Sequence, residues 1–250
     1  MATPHLVTIP FSHFCDKARW GLDRAGIRFR ESGHVPIVHI PAVRLAGGKR
    51  SVPTLITDEG AICDSTKILQ WADARSPEAH LYGASSDERR EIEQLEDLFD
   101  DQLGPHARRW VYFYILAQPE LLRRLAAQGV PTAERLAWPF MMPVARVLMR
   151  RSMRITAEGA KRSRERIEHV FAEVGARLAD GRRYLVGERL SAADISFASL
   201  AGPVLLPPEY FTRLPSIDAW PSEAAEQIRA WQASPAGAFG LRIYRDHRRA

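Results

Sequence analysis

A disulfide framework is excluded at the outset, because the 250-residue chain holds only two cysteines, Cys15 and Cys63. Thiols this sparse fit a reducing compartment, and a cytoplasmic location is expected. Long apolar runs are equally scarce. The longest candidate, Ile195 to Leu206, is ended by Pro207-Pro208 and falls well short of the ~20 residues that cross a bilayer. It reads as a core helix, and no membrane partner is expected. The opening residues Met1 to His5 carry neither the basic patch nor the apolar run of a secretory signal, so none is expected. There is no Gly-x-Ser-x-Gly elbow for an esterase, and the eight histidines include no His-Glu-x-x-His pair, so no metal site is expected. Gly47-Gly48-Lys49-Arg50-Ser51 mimics the end of a phosphate-binding loop. It lacks the earlier glycine and a hydroxyl residue directly after the lysine.

Charge of one sign is not in large excess either: 35 Lys and Arg face 30 Asp and Glu, for a net +5. Two arginine clusters, Arg146, Arg150, Arg151, Arg154 and Arg245, Arg248, Arg249, read as a solvated helix face and a basic tail. No recognised nucleic-acid module accompanies them, and no nucleic-acid partner is expected.

Three short stretches carry chemistry. An alternating apolar run, His5 to Ile9, reads as a strand and feeds a helix whose Cys15, Ala18, Leu22 and Ala25 share one face. Asp16, Lys17, Arg19, Asp23 and Arg24 are expected to stay wet, and Gly26 to end the helix. Ser12 stands at its N-terminus, where unpaired N–H groups and the helix dipole favour an anion such as a thiolate. The alternative is an ordinary N-cap. Val52-Pro53 heads a β-branched strand, Thr54 to Thr57. A cis bond there presents the Val52 backbone to an extended peptide ligand, and a trans bond is plain loop punctuation. Asp58-Glu59-Gly60 turns a hairpin, and Asp64-Ser65 opens a helix through Ile68, Leu69 and Ala72. Both residues are natural caps; alternatively the carboxylate takes a ligand ammonium, and Ser65 with its neighbouring amides takes a carboxylate.

Ser12 to Ile27, Ser51 to Leu69 and Tyr184 to Leu200 together resemble the glutathione transferase superfamily, in a serine-type, bacterial-like form. The resemblance implies an α/β thioredoxin-like N-terminal domain over 1–78, followed by an all-α helical domain over 85–250. It implies glutathione as co-substrate, Ser12 as the group that activates its thiol, Val52 and Pro53 as the loop that pairs with its backbone, and Asp64 and Ser65 as the clamp on its γ-glutamyl end. Lys49 or Arg50 then meets its glycyl carboxylate. Phe11, His13, Arg109 and Tyr112 are implied as the wall for a small hydrophobic electrophile, with Trp138, Phe140, Met141 and Met142 as further candidates that fit a core equally well. A homodimer is implied too. Two departures stand out: His13 where related segments often carry proline, and Asp64 where a glutamate is common. Serine rather than cysteine at position 12 cannot form a mixed disulfide, which points to transfer or addition rather than thiol exchange. Cys15, on the apolar stripe, reads as a buried small hydrophobe. The alternatives are another glutathione-dependent chemistry (reduction, isomerisation, ether cleavage or dehalogenation) and a non-catalytic protein that keeps the fold.

The rest of the chain reads as helices. Ser85 and Glu88 form a capping box ahead of Ile92, Leu95, Leu98, Phe99 and Leu103, and Trp110 to Leu116 is apolar on most sides. Pro131, Pro139 and Pro143 are expected to break the next region. Glu165 to Leu178 is helical, and Ser191-Ala192-Ala193-Asp194 boxes the start of a buried helix.

Overall fold

The computed structural model describes residues 2–248. Arg249, from the basic tail, lies outside the described residues. The first part is a β-α-β-α-β-β-α unit: β1 His5–Thr8, α1 His13–Arg24, β2 Arg30–Gly33, α2 His39–Leu45, β3 Thr54–Thr57, β4 Gly60–Ile62 and α3 Ser65–Arg75. The four strands lie in the order β2-β1-β3-β4. β1 runs parallel to β2 and antiparallel to β3, which pairs antiparallel with β4. This is the thioredoxin-like arrangement the resemblance implies.

The rest is helical, as expected: α4 Ser86–Gln102, α5 Gly104–Ile115, α6 Pro119–Ala126, α7 Thr132–Ser152, α8 Ala157–Arg177, α9 Ala192–Leu205, α10 Ser222–Ala233 and α11 Pro235–His247. α9 is buried along its whole length. Its start is fixed by Asp194, whose carboxylate accepts from the backbone N–H of Ser191 and of Leu185, each at 2.8 Å. That satisfies donors a buried helix would otherwise leave bare.

Two expectations are corrected. Asp16, Lys17 and Arg19 are buried, not wet. α1 is covered on its second side by α9, and Tyr244 of α11 reaches it at Asp16 and Trp20, so its polar face becomes a junction between the two parts. Lys17 Nζ meets Asp100 at 2.9 Å and Glu96 at 3.1 Å on α4, Arg19 pairs with Glu31 on β2, and Asp16 accepts from Tyr244 at 2.7 Å and from Arg248 at 3.0 Å. Burial of such charges is tolerable only with partners of this kind. The second correction concerns Pro139 and Pro143, which lie inside α7 instead of breaking it. Trp138, Ala145 and Met149 anchor the helix inward. Both prolines point away from those anchors and are exposed, so each forfeits one N–H bond on the solvent side, where water serves the freed carbonyl.

Candidate active site

The sheet register gathers the three stretches at one end. Val7 pairs with Thr54 and Leu55 with Ile62, so β1 leaves the sheet where β3 enters and β4 leaves. Ser12, Val52-Pro53 and Asp64 therefore follow or precede their strands at the same edge.

Ser12 occupies the N-cap of α1, yet its side chain makes no capping hydrogen bond. The first helical bond runs from Asp16 N–H to Ser12 C=O at 2.9 Å, which leaves the amides before it without intrahelical acceptors. The hydroxyl lies beside the Cys15 thiol, whose pKa burial raises to about 11. Cys15 is thus an inert filler, as its place on the apolar stripe implies.

The Val52-Pro53 bond is cis. The loop is held by Thr54 Oγ1, which donates to Ser51 C=O at 2.8 Å. Pro53 is buried and Val52 half-buried, while Lys49 and Arg50 are exposed beside them. His39, at the head of α2, accepts the Ile37 N–H at 3.1 Å and faces the backbone of Arg50, so it braces this loop. Nothing in the local pattern marked it, because its role depends on a segment eleven residues away. Asp64 caps α3 through one oxygen, which accepts from Lys67 N–H at 3.1 Å; the residue is exposed, and its second oxygen is open to a ligand. Ser65 is buried at the first helical position.

Beneath Ser12 lies a small chamber of about 30 Å³ lined by Phe11, Ser12, His13, Arg108, Tyr112 and apolar side chains of α5, α6, α9 and the segment before α10. His13 is buried and donates from Nε2 to the Gly104 carbonyl at 3.0 Å. Burial, aided by the Arg108 charge, lowers its pKa to about 3, so it is a neutral ring at physiological pH and a weak base. Burial pushes the Tyr112 phenol up to about 12, which keeps it protonated as a donor. Phe11, His13 and Tyr112 thus meet at the chamber, but Arg109 does not join them. Its guanidinium turns to Met153 C=O at 3.0 Å and Ser163 Oγ at 3.2 Å. The arginine at the chamber is Arg108, and the helical period could have found it: Arg108, Tyr112 and Ile115 fall on one face of α5, with Arg109 a further 100° round. Trp138, Phe140, Met141 and Met142 are also absent from the lining, because Trp138 packs inward and Phe140 outward.

Among the described residues no group of three or more His, Cys, Asp or Glu side chains is arranged to hold a metal ion.

The N-terminal domain model of glutathione S-transferases matches residues 6–80, and the C-terminal domain model matches residues 157–231. No curated protein matches the chain. Among solved structures, the theta-class glutathione S-transferase of Xanthomonas axonopodis pv. citri, with glutathione bound, is 18% identical over 96% of this chain and 98% of its own, with a TM-score of 0.60. A glutathione S-transferase of Methylobacterium radiotolerans, in complex with glutathione sulfonate, is 21% identical over 95% and 94% of the two chains, with a TM-score of 0.55. Glutathione transferase F2 of Populus trichocarpa is 13% identical over 97% and 99%, with a TM-score of 0.59. With both domain models matched in order along one chain, and a sheet and helical bundle laid out as in these structures, the protein belongs to the glutathione transferase superfamily.

Proposed function

We propose that this protein is a cytoplasmic glutathione S-transferase that activates the thiol of glutathione for attack on a small hydrophobic electrophile. One observation carries the reading: Ser12 sits at the N-terminus of α1 with its hydroxyl released from capping, above a chamber lined mostly by apolar groups. Glutathione bound to the Xanthomonas neighbour and glutathione sulfonate bound to the Methylobacterium neighbour support the choice of thiol. In this reading the tripeptide lies along the Val52-Pro53 loop, with its γ-glutamyl end at Asp64 and Ser65 and its glycyl carboxylate at Lys49 or Arg50.

The chemistry follows from the groups present. The thiol proton leaves to water, since His13 is too weak a base to keep it. The Ser12 hydroxyl and the first amides of α1 donate to the thiolate, and the positive field of Arg108 favours it. The sulfur forms a bond to carbon while the leaving group departs with its electron pair, or adds to an activated double bond. Ser12 is never itself the nucleophile. The free thiols Cys15 and Cys63 support a reducing compartment. Detoxification and a homodimer are part of the proposal through the family alone.

A thermal-shift titration with glutathione, combined with a conjugation assay using 1-chloro-2,4-dinitrobenzene, tests it. Glutathione at 100 times its dissociation constant adds about 2.7 kcal/mol of stability. Ser12→Ala keeps that shift and lowers conjugation at least about tenfold. An unchanged rate removes Ser12 from the mechanism, and no thermal shift at millimolar glutathione removes the ligand. The size of the chamber, about 30 Å³, favours a second reading in which glutathione binds and nothing is conjugated. A thermal shift without turnover of any electrophile selects it.

A further inference from the structure

One helical face is left without a partner. Along α7, Leu136, Phe140 and Val144 stand 68%, 85% and 63% exposed at four-residue spacing, and Val147 and Leu148 continue the stripe. At about 100° per residue these five fill roughly a third of the helix circumference. Ala133 and Ala137 share that arc, and its single charged member is Arg151, in the last turn. A continuous apolar face of this kind marks an interaction surface.

Charge decides what covers it. Arg150, Arg151 and Arg154 are exposed at the C-terminal end of the stripe, and none of them forms an ion pair among the described residues. The helix's own acid, Glu134, is already engaged by His34 Nδ1 at 2.6 Å and by Val35 N–H at 2.9 Å. A second copy packed by symmetry on this face sets those arginines against one another, because α7 has no free carboxylate of its own to meet them. An anionic lipid surface matches both features at once. Apolar side chains enter the acyl boundary, and guanidinium groups meet phosphates above it.

We propose that α7 is an interfacial helix that lays its Leu136–Leu148 face on an anionic phospholipid bilayer. Neither family model reaches it, since they match 6–80 and 157–231, and the proposal does not rest on the glutathione reading. It revises the expectation of no membrane partner. Among the described residues no helix is long and apolar enough to cross a membrane, but a helix lying in the surface plane needs no such length.

The test is sedimentation of the full chain with phosphatidylcholine vesicles containing roughly one third phosphatidylglycerol, and with phosphatidylcholine alone. The protein pellets with the anionic vesicles and is released as salt is raised. Arg150→Gln and Arg151→Gln each lower the partition coefficient about fivefold, and Phe140→Ser with Val144→Ser lowers it at least about tenfold. These four side chains are exposed, so the circular dichroism and Tm of the variants stay near those of the parent. Equal pelleting with both vesicle types, or indifference to the substitutions, overturns the proposal. So does a dimer in solution that Phe140→Ser with Val144→Ser splits without any binding to vesicles, because a second copy then covers the face.

Discussion

The imidazole of His13 donates from Nε2 to the backbone carbonyl of Gly104 at 3.0 Å, tying the first residue of α1 to the first residue of α5. A carbonyl can only accept, so Nε2 carries the hydrogen, and burial, which lowers the pKa to about 3, keeps the ring neutral at physiological pH. An unfolded histidine titrates near 6.5. On acidification the unfolded chain therefore takes this proton first. The contribution is whole above about pH 6.5 and is lost as pH falls toward 3, with a slope of at most about 1.4 kcal/mol per pH unit. His13→Asn keeps a donor for Gly104 and removes the titration. The difference in stability between parent and variant, from urea unfolding at a series of pH values, shrinks as the medium is made acidic.

Asp194 works in the opposite direction. Burial raises its carboxyl to about 6 despite the N–H groups of Leu185 and Ser191 that it accepts, and an unfolded aspartate titrates near 3.9. Here the folded state holds its proton longer, so stability is lost as pH rises from about 4 to 6. His13 and Asp194 partly cancel in the parent, and each slope emerges only by difference with its own variant. Asp194→Asn exposes the falling limb. Asp194→Ala, which leaves two buried N–H groups without an acceptor, lowers stability by about 2–4 kcal/mol at neutral pH.

Lys17 meets Glu96 and Asp100 with no solvent access to its side chain. Its ammonium is held charged by the two carboxylates in spite of burial. Lys17→Met strands the fully buried Glu96 and destabilises the protein by about 3–5 kcal/mol, measured by urea unfolding. Replacing Glu96 by Leu in the same chain recovers part of that loss, because no buried charge remains unpaired.

Arg108 and Arg109 separate cleanly by experiment. Removing a positive charge about 6 Å from a thiolate across water costs about 0.7 kcal/mol, roughly half a pKa unit. Arg108→Gln raises the pKa of bound glutathione by that amount, read from thiolate absorbance against pH, and lowers conjugation about threefold near neutrality. Arg109→Gln leaves the thiol titration where it was and acts on stability, through the lost contacts to Met153 and Ser163.

What the chain revealed by itself follows from how local each signal is. The strand at Thr54, the caps at Ser85 and Asp64, and the box at Ser191-Asp194 are set within a few residues of sequence, and all were readable. So was the buried character of α9, since its apolar residues run all round the helix. The polar face of α1 misled because charged residues read as solvent-facing whenever their partners lie far along the chain; Lys17 finds its acids 79 and 83 positions later, at Glu96 and Asp100. α7 misled for a related reason. Proline breaks a helix that nothing else holds, and the inward packing of Trp138 that steadies this one is a tertiary fact. Arg108 and Arg109 stand one step apart along α5, about 100° of turn, and only the first lines the chamber, a distinction that depends on where the helix packs.

The segment joining the sheet-bearing part to the helices is fastened along its length: Ser76 Oγ donates to Ala25 C=O at 2.7 Å, Leu81 N–H to Asp73 at 2.8 Å, and Ala192 N–H to Leu81 C=O at 2.7 Å. Leu81 and Tyr82 are buried within it. A connection clamped in this way offers a protease little slack to grip, and a nick there leaves both fragments locked through α1. Hinge motion between the halves is correspondingly opposed, so a molecule that reaches the chamber enters through the mouth already present, not by the two parts swinging open.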